Sequence, residues 1–318
     1  MLVKNIDFLL TFKCPAECQH CSYKAGPNRT GVIKQKDASR YLKELTKMQS
    51  LKSVWVHGGE PFLYFDYLEY IIKEANRLAI PRIGVITNSF WAKDEKSANK
   101  KLERLKKAGL TVVTFSSDFF HQEFIPLEYV RNALMSAVAI GFDNIYVDSY
   151  FVDDINSYNY FNEFTRKNLE MLEMINGIEF HQFPMSVEGR STNLIEYLKL
   201  HDKIPSGDCP LPFWIDGNLE NPETIEIDYE GNVTLCPGIS IGNTNLQSLT
   251  KIIHNYNVEN HPILSFIFKE GPIGLLKIAK EQGFQNKIQY ANECHLCYEL
   301  RKFLQPLYSF SLAPKEGY

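Results

Sequence analysis

Apolar runs of five to eight residues alternate along the first two thirds of the chain with longer stretches whose apolar positions recur at helical spacing. The strand-like runs are Ile6–Thr11, Ser53–His57, Arg82–Thr87, Thr111–Phe115, Asn144–Phe151 and Ile178–Phe183. Between them lie amphipathic stretches at Lys34–Met48, Tyr64–Leu78, Asp94–Lys107, Leu127–Ile140 and Tyr158–Met174. Strands alternating with helices in this way predict βαβ units and a parallel sheet. Six such units match an α/β fold of the partial (β/α)6 barrel type, open on one side. In α/β barrels ligands collect at the carboxyl ends of the strands. The residues just after each strand are therefore where chemistry is expected.

The pattern changes at Pro205-Ser-Gly-Asp208, a loop signal. Two domains are expected, residues 1–205 and residues 206–318, the second a small α+β unit. In it, Thr224–Asp228 and Asn232–Cys236 flank Tyr229-Glu-Gly231 and read as a short hairpin. Gly242-Asn243 leads into helical stretches at Gln247–Tyr256 and Leu275–Glu281, and the chain closes on Cys294-His-Leu-Cys297-Tyr298. No internal repeat or low-complexity segment appears.

Composition narrows the function classes. Over 318 residues the net charge is −4, which argues against nucleic-acid binding. No apolar stretch approaches the length of a membrane span, and polar residues within Met1–Asp7 break any signal-peptide pattern. A cytoplasmic, reducing location is expected, where clustered cysteines more often bind metal than form disulfides. The seven cysteines fall into two groups: Cys14, Cys18 and Cys21, then Cys209, Cys236, Cys294 and Cys297.

The first group sits in Phe12-Lys-Cys-Pro-Ala-Glu-Cys-Gln-His-Cys21, directly after the first strand. A [4Fe–4S] cluster normally takes four thiolates, so three leave one iron open to a substrate or cofactor. A zinc site completed by His20, or a ferredoxin-like cluster with a distant fourth cysteine, would use the same three residues. The second strand is followed at once by Gly58, Gly59, Glu60 and Pro61. A cysteine loop after strand one and Gly-Gly-Glu-Pro after strand two resemble the radical S-adenosylmethionine (radical SAM) family. That resemblance implies SAM chelated to the open iron, with its ammonium end received by Gly58 to Pro61. Glycine there lets backbone approach a ligand closely.

The same resemblance gives meaning to other strand ends. Asn88, in Thr87-Asn-Ser-Phe-Trp91, and Ser116 with Asp118 stand where the family contacts the ribose and SAM. Asn88 and Asp118 are equally suited to cap the helices that follow. Gln182 and the Gly189-Arg190 pair resemble a pattern in which arginine meets the SAM carboxylate; a solvent-exposed arginine is the alternative. Tyr23, where the family's adenine stacks, and His121 are candidate catalytic residues.

The second cysteine group, with Ile227–Cys236, Ile241–Asn243 and Cys294–Cys297, resembles the shortened SPASM extension called a twitch domain. This implies an auxiliary [4Fe–4S] cluster; a structural zinc on four thiolates is the competing reading. The stretches Thr87–Ala92, Ser117–Phe124, Gln182–Val187 and Cys209-Pro210 further resemble radical SAM peptide epimerases, which modify ribosomally made peptides. In those enzymes a cysteine after the hairpin cysteine donates hydrogen, whereas here Pro237 follows Cys236. The implied activity is generation of a 5′-deoxyadenosyl radical that takes hydrogen from a peptide, leading to a thioether or carbon–carbon cross-link or to epimerisation. A peptide substrate and a flavodoxin- or ferredoxin-type electron donor are the expected partners. The chain enters its first strand at once, so leader recognition is expected on the barrel, the C-terminal third or another protein. Phe213, Trp214 and Tyr298 are expected to fill core, or to line such a site. A small-metabolite radical SAM enzyme and a non-enzymatic metal-binding protein are the other two readings. Oligomeric state has no signal in these residues.

Overall fold

A computed structural model of the chain describes residues 1–210, 216–287 and 289–318; Phe213 and Trp214 lie outside the described residues. The chain packs as two units, one of Asp7–Cys18 and Ala25–Met185, the other of Met1–Ile6, Gln19–Lys24 and Ser186–Tyr318. Residues 186–205 thus pack with the C-terminal unit.

The first unit runs β1 (Asn5–Thr11, whose first two residues count with the second unit), α1 (Gln35–Lys47), β2 (Ser53–Gly58), α2 (Phe65–Arg77), β3 (Arg82–Thr87) and α3 (Glu95–Ala108). It continues with β4 (Val112–Ser116), α4 (Phe119–Gln122), α5 (Leu127–Ile140), β5 (Asn144–Phe151), α6 (Tyr160–Leu172) and β6 (Glu179–Pro184). The strands lie in the order β6-β5-β4-β3-β2-β1, and each pair from β2 to β6 is parallel. This sheet does not close on itself, so the expected open (β/α)6 barrel is what the chain forms.

Strand burial explains why the apolar runs read as they do. All five residues of β4 are buried, as expected for a central parallel strand covered on both faces. In β5 the alternate residues Ile145, Val147, Ser149 and Phe151 are buried, with α5 and α6 packed on the strand, while Tyr146, Asp148 and Tyr150 are half-buried. The helices end where the sequence chemistry ends them. Asp94 caps α3 by accepting from Ser97 N, and Gly109 closes it at φ 116°.

In the second unit β7 (Thr224–Asp228), β8 (Asn232–Cys236) and β9 (Ile239–Asn243) form an antiparallel meander. Asp228 builds the first turn: its Oδ1 accepts from Glu230 N at 2.8 Å and Asn232 N at 3.0 Å. Helices α7 (Leu249–Asn255), α8 (Leu264–Glu270), α9 (Gly274–Glu281) and α10 (Glu293–Leu304) follow.

Four of these strands and helices escape the pattern reading, among them α10, whose start reads only as a closing Cys-x-x-Cys pattern. Strand β9 pairs with β8 through two register shifts that hide its alternation, α8 is only seven residues long, and α4 is a single turn. Cys294 and Cys297 lie on α10, where Asn292 caps the helix by accepting from His295 N at 2.9 Å. Tyr298 is buried there, donating to Gly317 O. None of the helices is long and apolar enough to cross a membrane among the described residues.

Asn162 tests how the loop after β5 is held. Fully buried, it accepts from Val152 N at 2.8 Å and donates to the carbonyls of Val152, Asp154 and Ser157. Asn162→Ala strands these backbone groups and is expected to cost about 1–3 kcal/mol or more of stability, read from the urea midpoint.

Candidate active site

Backbone hydrogen bonds place the cysteine loop before any side chain does. Beyond β2, Gly59 N donates to Thr11 O at 2.6 Å and Glu60 N donates to Lys13 O at 2.9 Å. A Cβ on Gly59 would lie 2.2 Å from Lys13 O, and one on Gly58, at φ 119°, would lie 2.6 Å from Thr11 O. Both glycines are therefore required for this approach. The loop base closes by Cys14 N donating to Gly26 O and Gly26 N donating to Phe12 O. Cys14 and Cys18 are buried, and Asn88 Nδ2 lies 3.4 Å from Cys14 Sγ as a donor.

Glu60 is wholly buried beside this loop. Its Oε1 accepts from Phe62 N at 3.0 Å and Thr87 Oγ1 at 2.8 Å, and its Oε2 from Asn88 N at 2.9 Å. Burial pushes its carboxyl up to about 7, against the pull of the hydrogen bonds from Asn88, Phe62 and Thr87. Pro61 opens the 3-10 turn Pro61–Tyr64, Phe62 stacks on Trp91 at 4.0 Å, and Trp91 Nε1 donates to Thr87 Oγ1 at 2.9 Å. Thus Cys14, Gly59, Glu60 and Asn88 belong to one connected network, with Thr87 as a member that no motif announces.

Ser116 ends β4 in register with Asp148 and is buried. Asp118 has no exposure and does cap α4, accepting from His121 N at 3.0 Å. Both its oxygens also lie 2.9 Å from His121 Nδ1, and Tyr150 N donates to Oδ2 at 3.3 Å. His121 is thereby oriented by a buried carboxylate. Gln182 does not follow the strand; it lies inside β6, paired with Ser149, with its side chain exposed.

In the second unit, Cys21 O accepts from Lys24 N and from Arg190 N at 3.1 Å. Gly189, at φ 62°, packs so closely that a Cβ would sit 2.5 Å from Ser22 O. Arg190 thus meets the cysteine loop through its amide. Tyr23 donates its hydroxyl to Glu226 on β7. Cys209, Cys236, Cys294 and Cys297 come into electrostatic range of one another: the Cys236 and Cys294 thiols each feel Cys209 and Cys297. Burial pushes all three thiols of Cys236, Cys294 and Cys297 up. All seven cysteines are free of disulfides.

The sequence profile of the Radical SAM superfamily matches residues 8–173, just over half of the chain. The chain belongs to that superfamily. Among curated proteins it is similar to the putative peptide biosynthesis protein YydG of Bacillus subtilis, 22% identical over 309 residues, covering 93% of this chain and 92% of that one. It is also 29% identical over 166 residues to GTP 3′,8-cyclase of Klebsiella pneumoniae, a match spanning 46% of each chain. Among solved structures, hexahistidine-tagged anSMEcpe with bound AdoMet superposes with a TM-score of 0.55 at 12% identity, covering 96% of this chain and 97% of that one.

Members of the radical SAM superfamily are enzymes whose family chemistry implies a [4Fe–4S] cluster and SAM. The donor set after β1 suits them: soft thiolates on a loop stitched to a glycine pair, with an amide hydrogen directed at one sulfur. Sequence reasoning missed Thr87's role, as well as Glu188 and Arg301 near the second cysteine group. Arg301 had a usable signal, since it stands one helical turn beyond Cys297.

Two outcomes follow. Gly59→Ala forces backbone against backbone and is expected to lower stability and to reduce iron retained after reconstitution at least severalfold, measured by iron assay. Glu60 holds its proton longer folded than unfolded, since its carboxyl rises from 4.5 to about 7. Its contribution is present below pH 4.5 and is lost as pH rises through 7. The urea midpoint of metal-free protein should fall between about pH 5 and about pH 7.5, and fall less in Glu60→Gln.

Proposed function

We propose that this radical SAM enzyme modifies a ribosomally made peptide, with one cluster on Cys14, Cys18 and Cys21 and a second on Cys209, Cys236, Cys294 and Cys297. The observation that supports a peptide substrate is the end-to-end similarity to YydG, named for peptide biosynthesis. The similarity to the Klebsiella pneumoniae cyclase, by contrast, spans 46% of this chain, so a small-metabolite substrate has weaker support.

When bound, SAM on a reduced cluster supplies a 5′-deoxyadenosyl radical able to take hydrogen from an unactivated C–H bond. The chain's own residues do the rest. Gly58 and Gly59 bring backbone to the ammonium end, while Glu60 fixes the Asn88 loop through Asn88 N. Asn88 then donates to Cys14 Sγ, and a hydrogen bond to a ligand sulfur is one of the levers that set a cluster's potential. Ser116, which ends β4, and Asp118, two residues beyond it, are assigned to the ribose, with His121 held by Asp118. Arg190 and Tyr23 are assigned to the SAM carboxylate and adenine; Gln182, exposed within β6, is the weakest member of this set.

The second set suits a cluster chemically. Four cysteines converge, three of them with thiols disfavoured as bare thiolates by burial, and the buried Arg301 guanidinium beside them supplies positive charge. With all seven thiols assigned as ligands, no cysteine is left to donate hydrogen. That favours an oxidative outcome, a thioether or carbon–carbon cross-link, over epimerisation. A flavodoxin- or ferredoxin-type protein would supply the electron.

Anaerobic reconstitution is expected to give roughly eight irons per chain and 5′-deoxyadenosine from SAM with a strong reductant. The combined Cys14→Ala, Cys18→Ala, Cys21→Ala variant should lose SAM cleavage and keep about half the iron. Zinc in place of iron, or no SAM cleavage by the wild type, overturns the reading.

A further inference from the structure

Glu188 and Arg301 form an ion pair in the second unit that no cysteine motif predicts. Arg301 Nη2 lies 3.2 Å from Glu188 Oε2, and both side chains are essentially without exposure. Two charges taken out of water carry a large desolvation cost, and burial pushes the Glu188 carboxyl up. Hydrophobic residues of similar volume would often fill such a place at no loss of stability. The pair therefore calls for another reason.

Its neighbours supply one. Arg301 stands one turn beyond Cys297 on α10 and hydrogen-bonds it. Its Nη1 donates to Pro237 O at 2.7 Å, the residue after Cys236, and to Tyr318 Oη at 3.0 Å. Tyr298 and Tyr318 flank the guanidinium with ring centroids 5.9 and 5.5 Å away. Among the described residues its Nε is buried with no hydrogen-bond partner. Glu188 Oε2 is 4.0 Å from Cys236 Sγ, and Ser22, next to Cys21, hydrogen-bonds the same carboxylate. A fixed cation and a fixed anion thus stand against the cysteine set, each locked by packing rather than by solvent.

We propose that Glu188 and Arg301 are positioning residues that set the charge around the group held by Cys209, Cys236, Cys294 and Cys297, and so its reduction potential. This rests on the auxiliary-cluster reading above. Reduction adds negative charge to a cluster, and its potential responds to nearby charge and to hydrogen bonds to sulfur. In the low dielectric of the interior such charges act strongly. The cation favours the reduced state and the anion opposes it.

The test uses the full chain carrying Cys14→Ala, Cys18→Ala and Cys21→Ala, which leaves only the second cluster to be seen. Potentiometric titration followed by electron paramagnetic resonance gives its midpoint. Arg301→Gln is expected to shift the midpoint negative, and Glu188→Gln, which keeps an acceptor for Arg301 and Ser22, to shift it positive. Arg301→Lys should restore most of the wild-type value. Should Arg301→Gln fail to load, Glu188→Gln alone decides. Shifts of one sign in both variants, or an unchanged midpoint in Glu188→Gln, overturn the proposal while leaving the cluster assignment intact. Absence of about four irons in the background chain overturns the cluster reading itself, and this proposal with it.

Discussion

The site depends on two backbone hydrogen bonds, from Gly59 N to Thr11 O and from Glu60 N to Lys13 O. They carry the chain beyond the end of β2 alongside the chain leaving β1, so that Lys13 is held when Cys14 follows it. Only glycine fits at 58 and 59, because a side chain would enter the carbonyls of Thr11 and Lys13. The position of the first thiolates, the placement of Glu60 and the approach available to a ligand all follow from that contact. A parallel sheet supplies the setting, since its strands end together and their following loops converge.

A second constraint is the treatment of buried charge. Glu60 and Asp118 have no exposure, yet each is surrounded by hydrogen-bond donors. A buried carboxylate without such donors would be strongly disfavoured. With them it becomes a rigid support: Glu60 fixes the loop at Asn88, and Asp118 orients His121. Beside the second cysteine group, Arg301 and Glu188 are both buried and compensate each other. In a radical SAM enzyme, groups locked in this way cannot rearrange freely when the charge of the site changes.

Much of this was legible from spacing. The βαβ alternation gave the sheet and its order of connection, because buried parallel strands are apolar throughout and amphipathic helices repeat at 3.6 residues. β3, β5, β7, β8 and α5 begin and end where the apolar pattern does. The Cys14-x3-Cys18-x2-Cys21 run and the Gly58-Gly59-Glu60-Pro61 run were readable because ligand spacing and tight backbone approach are local demands. β9, α4 and α8 were not, being short and stabilised by contacts rather than by their own periodicity. Gln182 reads as a strand-end ligand although its own apolar run contains it, and pairing with Ser149 inside β6 leaves it there.

The sequence alone therefore determined the fold class, the family and which residues have metal-binding chemistry, since each is written in local pattern. Only the tertiary structure decided how those residues are supported. That Thr87, Asn88 and Phe62 converge on one carboxylate, or that residues 113 positions apart form the ion pair beside Cys236 and Cys297, depends on contacts distant in sequence. No periodicity records such contacts, because an ion pair or a buried hydrogen bond constrains position in space and leaves sequence separation free.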